Sequence, residues 1–184
     1  MPLRSFTAPR RLLTAALAAT LSLTALPVAA GIVRAQYADP VNCDVDVNQL
    51  GIDSEDQAML DLLNGYRAQY GLGPVQFSAT LQRVALWKST DMAVNHYANH
   101  DDSFRGWEQR FRDCGYNPEY GYMAENLAGG FDSAIQTFQQ WQNSPEHNHN
   151  LLDPHMTVVG IVRAHSNDIY HWYWTMELGS VADL

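Results

Sequence analysis

Seven histidines stand in a chain of 184 residues with a formal net charge of −9: His96, His100, His147, His149, His155, His165 and His171. Imidazoles beside carboxylates can hold a divalent metal, move a proton or anchor a ligand by hydrogen bonds. Most histidines nevertheless serve packing or the surface, so spacing must decide. No His-Glu-x-x-His string occurs, nor a Gly-x-Ser-x-Gly elbow, a phosphate loop or a dinucleotide fingerprint. His147-Asn148-His149 shares one face only if the backbone is extended. Glu146 and His147 diverge if it is helical.

The elements that must position these groups can be read in outline. Ser54 with Gln57 suggests a capping box, followed by a helix whose Met59, Leu62, Leu63, Tyr66 and Tyr70 share a face and which stops at Gly71. Ser78 caps a second helix, with Leu81, Val84, Ala85 and Met92 inward, running to about Val94 or His96. A short helix from Trp107 to Cys114 closes at Gly115. Asp132 or Ser133 begins another, with Ile135, Phe138 and Trp141 inward, and Pro145 lies beyond its end. The C-terminal third changes period. Thr157–Ala164 is β-branched, and Ile169–Leu178 alternates Tyr170, Trp172, Trp174 and Met176 against His171, Tyr173, Thr175 and Glu177. Ser166-Asn167-Asp168 turns between them, giving an antiparallel hairpin. Helices followed by a hairpin indicate an α+β fold.

The first 35 residues read as a secretory signal peptide. Arg4, Arg10 and Arg11 precede an apolar run from Leu12 to Ala30, and small residues offer cleavage before Gly31 or before Gln36. The competing reading is a retained anchor, because the run is about long enough to span a bilayer. Cleavage leaves 149 residues with 7 basic and 20 acidic side chains, a formal charge of −13. That balance argues against nucleic acid and anionic lipid as partners. Residues 36–53 lack periodicity and read as an N-terminal arm, and residues 54–184 as one domain. In an oxidising compartment Cys43 and Cys114 are expected to pair, tying arm to body.

Several short strings then occur in order: Leu63-Asn64-Gly65-Tyr66-Arg67, Gly71-Leu72-Gly73-Pro74-Val75, His100, Arg110, Gly115-Tyr116, Glu125-Asn126-Leu127-Ala128, Trp141-Gln142-Asn143-Ser144-Pro145-Glu146-His147, Asp153-Pro154 and Val159-Gly160-Ile161. The series resembles the CAP superfamily of cysteine-rich secretory, antigen 5 and pathogenesis-related proteins, in its short bacterial branch, over about residues 57–179. The resemblance implies a three-layer α-β-α sandwich with a small antiparallel sheet and a further strand at 123–128. It also implies a cleft lined by His and Glu side chains, carried here onto His100, Glu125 and His147. Two imidazoles and a carboxylate are a reasonable shell for Zn²⁺ with an open position. Glu146, His155 and Glu177 are secondary candidates to complete the set.

The sequence departs from the family in three places, one being that the motif carrying the second His of longer members is absent and His147 is its loose counterpart. Ala124 replaces the usual Gly before Glu-Asn, so the local turn should differ, and Ser144 replaces a second acid. Asn126 is expected to do structural hydrogen bonding. The resemblance favours a secreted, extracellular or periplasmic, non-enzymatic binding module. It requires no cofactor, admits a divalent metal such as Zn²⁺, and should be a monomer with no membrane span after cleavage. Its partner would be a small apolar or cell-envelope ligand, for which Trp107, Tyr120, Tyr122, Trp172 and Trp174 supply aromatic surface. The alternative is a metal-dependent hydrolase in the same cleft, with Glu125 or Glu146 as general base.

Overall fold

In the computed structural model the described residues are Cys43, Val45 and 51–183, except Ser103, Pro118 and Tyr120. The signal peptide and nearly all of the arm lie outside them. The elements run α1 (Ser54–Gln69), β1 (Gln76–Phe77), α2 (Ala79–Asn95), α3 (Trp107–Asp113), β2 (Met123–Gly129), α4 (Ala134–Gln142), α5 (Pro145–Leu151), β3 (Val158–His165) and β4 (Trp172–Gly179).

The starts of α1 and α2 have local causes, though not always the expected one. Asp53, not Ser54, caps α1. Its carboxylate accepts the amides of Glu55 and Asp56, and the Asp56 side chain accepts the Asp53 amide. The capping box is thus shifted one residue and built from two aspartates, which cap as well as serine does. The buried face differs as well, set by packing on the sheet, with Leu62 and Tyr66 only partly buried. Met59, Leu60, Leu63 and Arg67 are buried, while Tyr70 is exposed. Ser78 caps α2 as expected, accepting the Leu81 amide at 3.0 Å. Ser133 precedes α4, whose Phe138 and Trp141 are buried. Ile135 is exposed instead, and Ala134 and Thr137 fill the inner face. Pro145 lies beyond the end of α4, as expected, and also opens α5, where its fixed φ and missing N–H suit the first turn.

The sheet has the order β1-β3-β4-β2. β3, β4 and β2 are antiparallel, and the two-residue β1 adds a parallel edge to β3. The strand at 123–129 is present, and Ala124 sits within it, buried, so no altered turn exists there. β4 begins at Trp172, leaving Tyr170 and His171 in the turn; His171 takes a positive φ of 60°. One sheet face carries Ala124, Ala128, Val159, Ile161, Trp174, Met176 and Leu178. These pack with Met59, Leu63, Phe138, Trp141 and Leu151 from α1, α4 and α5. The other face lies against α2, and α3 packs beside α2. The expected three-layer sandwich is the architecture found.

Cys43 and Cys114 are bonded, with Cα atoms 4.9 Å apart. A loop of that size (sequence separation 71) stabilises the fold by about 4 kcal/mol on chain-entropy grounds. Among the described residues no helix is long and apolar enough to cross a membrane.

Candidate functional site

The site forms where the loop after α2 meets β2. His100 sits in that loop, half-exposed, and its Nδ1 lies 2.8 Å from Glu125 Oε1. Glu125 points from β2 into the interior and is almost fully buried. Its second oxygen accepts a hydrogen bond from the Arg110 guanidinium of α3. Arg110 is fully buried and also donates from Nη1 to the His100 carbonyl at 3.0 Å. One guanidinium therefore fixes both the carboxylate and the backbone of its imidazole partner. Burial alone would raise the Glu125 pKa. The His100 hydrogen bond and the Arg110 charge outweigh it, and the group stays below the ordinary carboxylate range.

Strand register brings in Glu177. It stands directly opposite Glu125 in the β2–β4 ladder and is fully buried. Neither of its oxygens has a hydrogen-bond donor. Two carboxylates facing each other there only repel, and burial followed by the Glu125 charge drives the Glu177 pKa well above normal. A neutral Glu177 supplies the missing donor, its own O–H directed at Glu125. The two acids thus take opposite protonation states, Glu125 ionised and Glu177 protonated.

This arrangement carries a signed pH dependence. A carboxyl whose folded pKa is raised supports the fold fully below about 4.5, its ordinary value. It loses that support as pH climbs toward the folded pKa. Glu177→Gln keeps a donor and cannot ionise. The variant is therefore expected to gain on wild type as pH rises above about 4.5, by about 1 kcal/mol or more at neutral pH. Urea midpoints of both proteins across pH 4–8 check this, and curves that stay parallel would refute it.

His147 comes from α5, which lies against the edge strand β2. Asn126 Nδ2 donates to the His147 carbonyl at 3.1 Å, and Asn126 Oδ1 accepts from Asn150 Nδ2 at 2.9 Å. The structural work expected of Asn126 is thus to dock α5. Asn150 also donates to the Glu125 carbonyl, and the Trp141 indole donates to the Leu127 carbonyl. The outer edge of β2 is covered by side chains rather than left open. The His147 ring is partly buried and its Nδ1 has no hydrogen-bond partner. Burial lowers its pKa, and the charge of His100 lowers it further.

The other candidates are placed differently. Glu146 is exposed on α5 and acts on His147 through its charge alone. His155 is exposed away from the cleft, bonded to Asp153 and stacked on Tyr122. The aromatic residues do not gather round the cleft. Trp174 is buried in the core and donates to the Phe131 carbonyl, Trp172 packs on His165, and Trp107 packs on Phe111. Tyr120 lies outside the described residues.

The three residues do not assemble into a three-ligand metal shell. Among the described residues no three His, Cys, Asp or Glu side chains converge closely enough to hold an ion. The chemistry of the donors explains this, because both Glu125 oxygens are already engaged by His100 and Arg110. The set instead gives one half-exposed imidazole, His100, held from behind by a buried carboxylate, with His147 partly buried on α5. Such a carboxylate–histidine pair is how metal-binding histidines are usually oriented.

Two further residues escaped sequence reasoning. Arg67 is buried and donates to the carbonyls of Gly73, Leu151, Asp153 and Met156, tying the α5 exit to α1. Lys88 is fully buried, bonded to the Tyr97 hydroxyl at 3.0 Å. Burial, then the Arg110 charge, pushes its pKa down to about 8. A charged residue in a helical pattern reads as surface; only the tertiary acceptors reveal otherwise.

With this geometry in place, comparison with known proteins is decisive for the family. The sequence profile of the CAP, or cysteine-rich secretory protein, family matches residues 60–178. The chain belongs to the CAP family. A curated relative from Bacillus subtilis (strain 168), the uncharacterized protein YkwD, is 28% identical over 126 residues. The match covers 68% of this CAP chain and 47% of YkwD, so the chain spans about half the length of that relative. Among solved structures, an outer surface protein from Borrelia burgdorferi has a TM-score of 0.63 at 19% identity, over 70% of this chain and 94% of that one. An extracellular SCP-domain protein from Bacillus anthracis has a TM-score of 0.58 at 24% identity, over 69% of this chain and 40% of that one. At these identities the likeness to the two structures shows a shared fold.

Proposed function

We propose that this CAP domain is exported and acts by binding rather than by turnover, its cleft taking a divalent transition metal such as Zn²⁺ on His100 and His147. The observation that carries the reading is the His100–Glu125–Arg110 chain. A half-exposed imidazole is held through Nδ1 by a buried, ionised carboxylate, which leaves Nε2 as the lone-pair donor toward the cleft. His147 supplies the second imidazole, and its lowered pKa keeps it neutral and able to ligate. Glu125 orients and does not ligate. Export rests on the N-terminal Arg residues, the apolar run and the small-residue exits. The wider reading, that the module meets a cell-envelope ligand, follows from export and from the family.

Turnover has less support. Turnover would need a nucleophile activated by one of these imidazoles. A hydrolase would depend on the metal for its attacking water.

The test uses protein recovered from the export compartment, its mass placing the start at Gly31 or Gln36. Titration with Zn²⁺ should give saturable binding in the submillimolar range. His100→Ala and His147→Ala should each weaken it about tenfold or more, about 1.4 kcal/mol per decade. Glu125→Gln should weaken it by about 10–100-fold as an orienting partner. A wild type that binds no more tightly than the double alanine variant overturns the reading. Zn²⁺-dependent cleavage of ester or peptide probes, lost in His100→Ala, would establish the hydrolase instead.

A further inference from the structure

A concave surface borders α5, and neither His100, Glu125 nor His147 lines it. It is an open groove of about 730 Å³ lined by residues including Tyr122, Pro145, Asn148, His149, Asp153 and His155. That volume falls within the roughly 300–1,000 Å³ of small-ligand sites. We propose that this groove binds a pyranose chain, with Tyr122 as the stacking platform and Asn148, His149 and Asp153 as the hydroxyl-binding groups.

The platform is built rather than incidental. The Tyr122 ring, half-exposed, stacks on the His155 imidazole with centroids 3.9 Å apart and planes 19° apart. Both residues are fixed from behind. Tyr122 exchanges two hydrogen bonds with Ser180 just beyond β4, its amide to Ser180 Oγ at 2.8 Å and its carbonyl from the Ser180 amide at 3.2 Å. Asp153 Oδ1 accepts from both the amide and Nδ1 of His155, at 2.8 and 2.7 Å. Arg67 clamps the backbone on either side, through the carbonyls of Leu151, Asp153 and Met156. A site held this way loses little entropy when it binds.

The polar groups along the groove have capacity to spare. Asn148 Oδ1 accepts from the Tyr66 hydroxyl at 3.0 Å, which fixes the amide and leaves its NH₂ without a hydrogen-bond partner among the described residues. Asp153 Oδ2 and the His149 ring likewise have no hydrogen-bond partner there. Fixing Nδ1–H on Asp153 leaves His155 Nε2 as an acceptor. Donors and acceptors are therefore both present in the groove that Tyr122 lines. Sugar rings need that combination: apolar C–H faces to stack and vicinal hydroxyls that both give and accept.

The competing occupant for a groove of tyrosine and proline is a proline-rich peptide. Such a peptide offers carbonyl acceptors with few N–H donors, and the Asp153 carboxylate would repel them. The same carboxylate, on a chain of net charge −9, disfavours an acidic peptide or anionic headgroup.

Calorimetric titration of the purified protein with two probes tests this: a β-1,4-linked pentamer of N-acetylglucosamine and cellopentaose, with decaproline as the third arm. Saturable binding of at least one oligosaccharide is expected, with Kd of about 0.01–1 mM. Tyr122→Ala should weaken it about tenfold or more, and Tyr122→Phe, which keeps the stacking face, should stay within about threefold. Preference between the two sugars reports whether the acetamido group is read. An unchanged near-UV circular dichroism spectrum in Tyr122→Ala keeps loss of binding distinct from loss of fold. No saturable binding of either sugar, equal affinity in Tyr122→Ala, or binding of decaproline in their place overturns the proposal.

Discussion

Arg110→Met is expected to cost about 3–5 kcal/mol of stability, the range for removing one partner of a buried ion pair. Arg110 is fully buried and lies among Glu125, Asp102 and Glu177. Burial alone would lower its pKa, but the surrounding carboxylates more than offset this, Glu125 first. Methionine fills the volume and leaves buried Glu125 without its cation, while Asp102 keeps Arg105 at 2.9 Å. The His100 carbonyl loses its donor as well, so the loop carrying the cleft imidazole loosens with the core. The double variant Arg110→Met, Glu125→Gln should recover about 1–3 kcal/mol, because it removes the stranded charge. Urea unfolding of wild type, both single variants and the double closes the cycle. A single Arg110→Met within about 1 kcal/mol of wild type, the scale of an exposed pair, would contradict the placement of Arg110 at the centre of the site.

Gly160→Ala should be nearly as damaging for a different reason. A Cβ at Gly160 would stand 2.2 Å from the Leu81 carbonyl carbon and oxygen and 2.5 Å from the Gln82 amide nitrogen. These are backbone atoms of α2, so no side chain can swing aside. The helix itself must move off β3. Around this point α2 is stitched to the strand: Gln82 donates to the Ile161 carbonyl at 2.7 Å and accepts its amide at 2.9 Å, and Ser89 donates to the Val162 carbonyl at 2.8 Å. Lifting α2 strains all three bonds. The expected loss is about 3 kcal/mol or more, at the upper end of overpacking, or a fall of about 10 °C in melting temperature. Gly73→Ala is the control, since nothing lies within 4 Å of its Cβ position; it should change stability by less than about 0.5 kcal/mol. Equal melting temperatures for the two variants would refute the close approach.

Much of the scaffold was legible because local chemistry and tertiary demand agree. Ser78 caps α2, the β3–β4 hairpin follows from alternation and turn residues, and the Cys43–Cys114 bond follows from compartment and count. Where two local solutions were equally good, the wrong one could be chosen. Asp53 and Ser54 are both competent caps, and the chain uses Asp53. The two-residue β1 is too short to leave a periodic trace. The site was legible only through the resemblance, and only in part. Alternation places Glu177 on one strand face, but nothing in the sequence sets it opposite Glu125, because register belongs to the pairing of distant strands. Arg67 and Arg110 show the same limit more sharply. Their burial is decided by carbonyls and carboxylates supplied from elsewhere in the chain.

In the proposed function two imidazoles, His100 braced by Glu125 and His147 docked through Asn126, form one binding cleft. Nitrogen-15 NMR of the histidine rings during a Zn²⁺ titration addresses it directly. The Nε2 resonances of His100 and His147 should move together as Zn²⁺ approaches an equimolar amount, His100 Nδ1 keeping its proton toward Glu125, while those of His149 and His155 stay in place. Zn²⁺ that leaves both His100 and His147 unmoved, or that shifts His149 and His155 first, would contradict it.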